Sequence, residues 1–76
     1  MSRIKGVKTE GGYCLLVELY NGSSVLLNLE NRLQTARFGL LEDVAFFKTA
    51  STDGDFIRWG DQIEISVNEV LLLAQR

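Results

Sequence analysis

The sequence predicts a small single α+β domain over residues 1–76, an antiparallel sheet in the order strand, strand, strand, short helix, strand, strand, helix. Three observations predict it: apolar residues alternating with period two in the first half, turn signals between the runs, and helical spacing behind a capping sequence at the end. With 46% hydrophobic and 24% charged residues, the composition is that of a folded globular chain. At 76 residues it stands near the lower limit for a self-sufficient core.

The first strand is expected from Ile4 to Lys8, ahead of the turn signal Glu10-Gly11-Gly12. Tyr13 to Tyr20 then alternates, with Tyr13, Leu15, Val17 and Leu19 on one face. Asn21-Gly22 predicts a two-residue type I′ hairpin with positive φ at both positions. The return strand, Ser24 to Leu29, places Val25, Leu27 and Leu29 on that same face. The opposite face carries Cys14, Leu16, Tyr20 and Leu26 among Glu18, Ser24 and Asn28. A sheet packed on one side only should be polar there, so either a helix of the chain covers this face, the simpler expectation, or a partner does.

Beyond Leu29 the period changes. Asn28 is placed to cap a short helical turn through Leu33, and Gln34-Thr35 to Gly39 reads as a loop. Asp43 is the expected N-cap of a short helix from Val44 to Lys48, with Val44 and Phe47 on one face. Ser51 to Asp55 is a turn cluster, and strands are expected from Phe56 to Trp59 and from Gln62 to Ser66, joined at Gly60-Asp61. Ser66-Val67-Asn68-Glu69 forms a capping box that starts the last helix. Val67, Val70, Leu71 and Ala74 make its packing stripe, leaving Leu72 and Leu73 outside.

Several chemistries are excluded by composition. There is no histidine and one cysteine, which removes the usual zinc sites, Ser-His-Asp and Cys-His catalysis and any intramolecular disulfide. Asp53, Asp55, Asp61 and Glu64 fall at positions one, three, nine and twelve of a calcium-loop register, but Ile57 stands at the fifth position and Arg58 at the sixth, where glycine is required. A solvated turn is the expectation, and no metal or cofactor is expected. Cys14 is expected to behave as a small buried hydrophobe and Trp59 as a core or interface aromatic. No secretory signal and no apolar run long enough to span a membrane is evident, so a cytoplasmic protein is expected.

The order Phe38-x-x-Leu41-x-Asp43-x-x-x-Phe47, then Ile57-x-Trp59, then Ile63-Glu64-Ile65 resembles the bacterial family catalogued as domain of unknown function 2442. Ile4, Val7, Tyr13-x-Leu15, Val17, Asn21-Gly22 and Asn28-Leu29 extend the resemblance over nearly the whole chain. Departures fall in turns: Gly60-Asp61-Gln62 stands where proline and glycine are usual, Val44 where proline is usual, and Asn28 where aspartate is common. The resemblance implies the same α+β order and no enzymatic activity. It also implies an association with helix-turn-helix modules or small partner proteins, in an arrangement similar to toxin–antitoxin pairs.

These features predict a non-enzymatic interaction or regulatory module, antitoxin-like in character, acting through a protein partner or a homodimer. The candidate interface is Leu16, Tyr20 and Leu26 on the second sheet face with Leu72 and Leu73 on the last helix. The alternative, a nucleic-acid-associated domain, would use Arg3, Lys5, Lys8, Arg37 and Arg58; a net charge of −2 disfavours it. A small enzyme working with paired carboxylates ranks third, with no pair singled out.

Overall fold

The computed structural model describes residues 3–74. Among these described residues, six antiparallel strands divide into two three-stranded sheets, where the sequence suggested five strands in one sheet. β1 (Ile4–Glu10), β2 (Cys14–Leu19) and β3 (Ser24–Asn28) form the first sheet in that spatial order. β4 (Ser51–Thr52), β5 (Phe56–Trp59) and β6 (Ile63–Ser66) form the second. Between them run two short 3₁₀ turns, Glu30–Arg32 and Gly39–Glu42, and the one-turn helix α1 (Val44–Phe47). Helix α2 (Val67–Ala74) follows β6 directly and packs against β3.

Period-two alternation decides the first sheet. Val7 pairs with Val17 and Val17 with Val25, while Thr9, Leu15 and Leu27 form the neighbouring row. These side chains face inward, and Leu15, Val17, Leu19, Leu27 and Leu29 are buried. The second sheet contributes Ile57, Trp59, Ile63 and Ile65, and the connecting segment adds Phe38, Leu41 and Phe47. Trp59 is wholly buried, stacks on Phe47 with centroids 6.2 Å apart, and donates its indole N–H to the Phe47 carbonyl at 3.0 Å. That bond satisfies the one polar atom this large ring brings inside.

Two caps form where the sequence places them. The Asp43 carboxylate accepts from the N–H of Ala45 at 3.0 Å and Phe46 at 3.4 Å, and the Ser66 hydroxyl accepts from Glu69 N–H at 3.2 Å. The Glu69 carboxylate pairs mainly with Arg37 and is also drawn to the Ser66 backbone N–H, the reciprocal half of the expected capping box. Asn28 Oδ1 accepts from Glu30 N–H at 2.8 Å and so initiates the first 3₁₀ turn.

The hairpin between β2 and β3 forms, with a different turn from the one expected. Leu19 N–H donates to Ser23 C=O and Gly22 N–H to Leu19 C=O, so the loop holds three residues, Tyr20 to Gly22. Only Gly22 has positive φ, at 90°, the pattern of a turn closed by a glycine bulge rather than type I′. Tyr20 therefore sits in the loop and not on the strand. At the opposite hairpin Tyr13 adopts φ 63°, a conformation uncommon for a bulky residue. It is fixed there by three contacts: its carbonyl accepts from Leu29, its hydroxyl donates to Glu42 C=O at 2.6 Å, and its ring meets Phe47 edge-on at 5.5 Å.

The acidic cluster at residues 53–55 is a clasp between the sheets. Asp53 Oδ1 accepts from Asp55 and Phe56 N–H, both at 3.0 Å, while Thr52 Oγ1 accepts from Gly54 N–H at 3.0 Å. The turn so shaped presents its backbone to the rest of the chain. Gly54 C=O accepts from Ile4 N–H at 2.8 Å, and Asp55 C=O accepts from Val67 N–H at 3.2 Å. The start of β1 and the start of α2 are thus pinned to one turn, reinforced by Arg3 Nε on Asp55 Oδ1 at 3.2 Å and Arg3 Nη2 on Asp53 C=O at 3.3 Å.

Candidate interaction surface

The register of the first sheet defines its outer face. Lys8, Leu16 and Leu26 lie in one row, flanked by Gly6, Glu18 and Ser24 on one side and by Glu10, Cys14 and Asn28 on the other. The expectation that a helix of the chain covers this face is overturned. Helix α2 puts Val67 and Val70 into the core on the inner side, and Leu26 remains 62% exposed. Leu16 is half-buried between its strand neighbours, and Tyr20, at the turn, is 67% exposed. Cys14 is half-buried rather than enclosed.

The two leucines assigned to the interface on α2 part company. Leu72 is 66% exposed, whereas Leu73 packs against the core. The buried stripe is Val67, Val70 and Leu73, and Leu71, expected within it, is turned to solvent. The first turn of the helix is held by the Val67 N–H bond to Asp55 C=O and by the Arg37–Glu69 pair, with Val67 and Val70 in the core. Val44 likewise leaves the face expected of it: Phe47 is buried and Val44 half in solvent.

Sequence reasoning missed a second exposed apolar group, Leu40 and Val44 around α1. Leu40 lines a shallow depression of about 430 Å³ with Asp43, Phe46 and Gln62. A narrower cleft of about 320 Å³ lies between the β1–β2 turn and α1, bounded by Glu10, Gly12, Tyr13, Val44, Phe47 and Lys48. The Leu40-Leu41 doublet carried the signal. One 3₁₀ turn cannot bury two successive leucines on the same side, so one of them must face outward.

The charged groups are largely committed to one another. Arg37 forms a two-pronged pair with Glu69 at 2.5 and 2.9 Å, donates to Glu64 C=O at 2.8 Å, and lies over the Phe38 ring. Arg58 bridges Asp53 and Glu64 and covers Phe56. With Arg3 on Asp55, each arginine named for a nucleic-acid surface is neutralised by a carboxylate. A depression of about 280 Å³ brings Asp61 near Glu64, but there Glu64 is held by Arg58 Nε at 3.2 Å and stands open to solvent. Among the described residues, no group of three or more acidic or cysteine side chains is placed to hold a metal ion. Nor is any helix long and apolar enough to cross a membrane.

Asp53 has a perturbed acidity. The backbone N–H of Asp55, then the Arg58 guanidinium and the N–H of Phe56, hold its carboxyl down to about 2 from an ordinary 3.8. Arg37 similarly lowers Glu69. A carboxyl depressed in the folded state contributes stability above its unfolded value and loses it as pH falls toward the folded one. Urea midpoints measured across pH should therefore hold steady down to about pH 5 and decline between about pH 4 and 2. Asp53→Asn keeps the turn's acceptor and removes the charge, so the gap between it and the parent should close across that window. An unchanged gap at pH 2 would show that the charge at Asp53 contributes nothing to the clasp.

Comparison with known proteins adds no relative: no family model matches the chain, and neither a curated protein nor a solved structure does.

Proposed function

We propose that this chain is a small cytoplasmic interaction or regulatory module, antitoxin-like in character and without enzymatic activity, that engages a protein partner through the outer face of its first sheet. The observation that carries the reading is Leu26, a large apolar side chain 62% exposed on a regular strand, with Leu16 beside it and Tyr20 at the adjoining turn. An apolar row in a polar frame is the usual make-up of a protein contact, where a buried centre is ringed by polar groups. The resemblance to bacterial modules paired with small partner proteins supports the same reading. The nucleic-acid alternative loses ground because its arginines are engaged within the molecule.

A photo-crosslinking side chain placed at position 26 or position 20 tests the reading in the cells that make the protein. One defined protein adduct is expected at those positions and none at the exposed control position Asn31. Equal labelling at all three, or none, would remove the outer face as the contact.

A further inference from the structure

The first sheet has two edges, and they are built differently. β1 begins with a register shift between Ile4 and Gly6 and carries the exposed Lys5 and, further along, Lys8. A bulge and lysines are devices that stop another strand from pairing with an edge. β3 has neither. Its five residues, Ser24-Val25-Leu26-Leu27-Asn28, hold no charge, no proline, no glycine and no bulge, and among the described residues the strand pairs on one side only, with β2.

The direction of its free groups follows from the pairing. Leu29 donates to Tyr13 and Leu19 to Ser23, so the pairs spaced by two from these, Leu15 with Leu27 and Val17 with Val25, exchange the backbone bonds with β2. Ser24, Leu26 and Asn28 therefore aim their N–H and C=O groups away from β2. Helix α2 packs against β3, with Val67 and Val70 in the same core as Leu27, yet among the described residues no backbone hydrogen bond runs from α2 to β3, and the Leu26 side chain stays 62% exposed.

We propose that this edge pairs with the β3 edge of a second copy of the chain, antiparallel about a two-fold axis at Leu26, joining two first sheets into one continuous sheet. The inference rests on the interaction reading above and names the partner. In that register Leu26 faces Leu26 of the other copy and Ser24 faces Asn28, so the outward N–H and C=O groups of all three residues find partners. No like charges meet, because the strand has none, and a two-fold axis requires such self-compatibility. The apolar row Leu16–Leu26 then continues through the axis into its counterpart, with Lys8 at each far end.

The test is a cysteine scan on a Cys14→Ser background under a mild oxidant, read on non-reducing gels, beside sedimentation of the unaltered chain from low to high micromolar concentration. Residues in a hydrogen-bonded antiparallel pair have Cα atoms about 5.5 Å apart, within disulfide reach. Stacked sheets lie about 10 Å apart and are beyond it. Leu26→Cys should link into a dimer rapidly, and Leu16→Cys, one strand further from the axis, should not. The unaltered chain should sediment as a dimer at the upper concentrations, with Leu26→Lys weakening it by about tenfold or more, since two lysines would face each other on the axis. Self-association without the Leu26→Cys link would overturn edge pairing and point to face stacking. A chain that stays monomeric with no link would overturn the second copy altogether, while crosslinking at positions 20 and 26 judges the broader reading separately.

Discussion

Replacing Trp59 by alanine should lower the chain's stability more than any other single substitution and bring it to the edge of unfolding at room temperature. The indole is completely buried, stacks on Phe47 and donates to the Phe47 carbonyl. Large-to-small changes at such aromatic sites cost about 3–5 kcal/mol. A domain of 76 residues has a total stability of about 4–11 kcal/mol, so the loss removes all of it at the lower end and up to about half at the upper end. Trp59→Phe separates the two contributions. It keeps most of the ring volume but leaves the Phe47 carbonyl only the long bond from Ala50 N–H at 3.4 Å. That change should cost about 1–3 kcal/mol and leave a folded chain. Circular dichroism during urea titration reads both variants, and a Trp59→Ala chain with a native spectrum and an unshifted midpoint would show that this core is not centred on the indole.

Gly54→Ala should be the next most damaging substitution. Gly54 is buried at φ 103°, a region side chains rarely enter, and a Cβ there would meet the Arg3 guanidinium. Strain of this kind costs about 1–3 kcal/mol. Arg3 can move aside, since it is exposed and its ion pair with Asp55 is worth little in water. The bond from Ile4 to the Gly54 carbonyl is harder to keep once the turn relaxes. A lowered urea midpoint with an unchanged slope is the expected result. Gly11→Ala, where nothing stands within 4 Å of the added carbon, is the control that should leave the midpoint nearly unchanged.

Much of the fold was legible because local rules and tertiary packing agreed. The alternation from Leu15 to Leu29 marks an inner face, and Asp43 and Ser66 stand where helix starts need an acceptor. The failures have physical causes of their own. β4 is two residues long, too short for any periodicity, and Asp53, Gly54 and Asp55 read as a solvated turn because their partners, Ile4, Val67 and Arg3, lie far away in sequence. On α2, Leu71, Leu72 and Leu73 are alike in sequence, and only the rotation set at the first turn decides that Leu73 packs inward.

The candidate site was half legible. Leu16 and Leu26 declare themselves as apolar residues on the wrong face of an alternating strand, and Tyr20 was found by its hydrophobicity although a three-residue loop, not the strand, displays it. Whether that face is covered depends on where α2 lands, which no local pattern encodes. The difference between the two sheet edges was in the sequence throughout, as lysines along β1 and none along β3, but it has meaning only once the strand order makes both of them edges.

The clasp also has a consequence in time. Each hairpin joins residues close in sequence, whereas Arg3 and Asp55 stand 52 residues apart. Closing a loop of that length costs about 3.5 kcal/mol of chain entropy by the logarithmic rule, far more than one exposed bond returns. The contact becomes favourable only after the two halves have already met through Trp59, Leu27 and their neighbours. The segment that ties the sheets together is thus a late arrival in folding, and its loosening should speed unfolding while leaving the refolding rate nearly untouched.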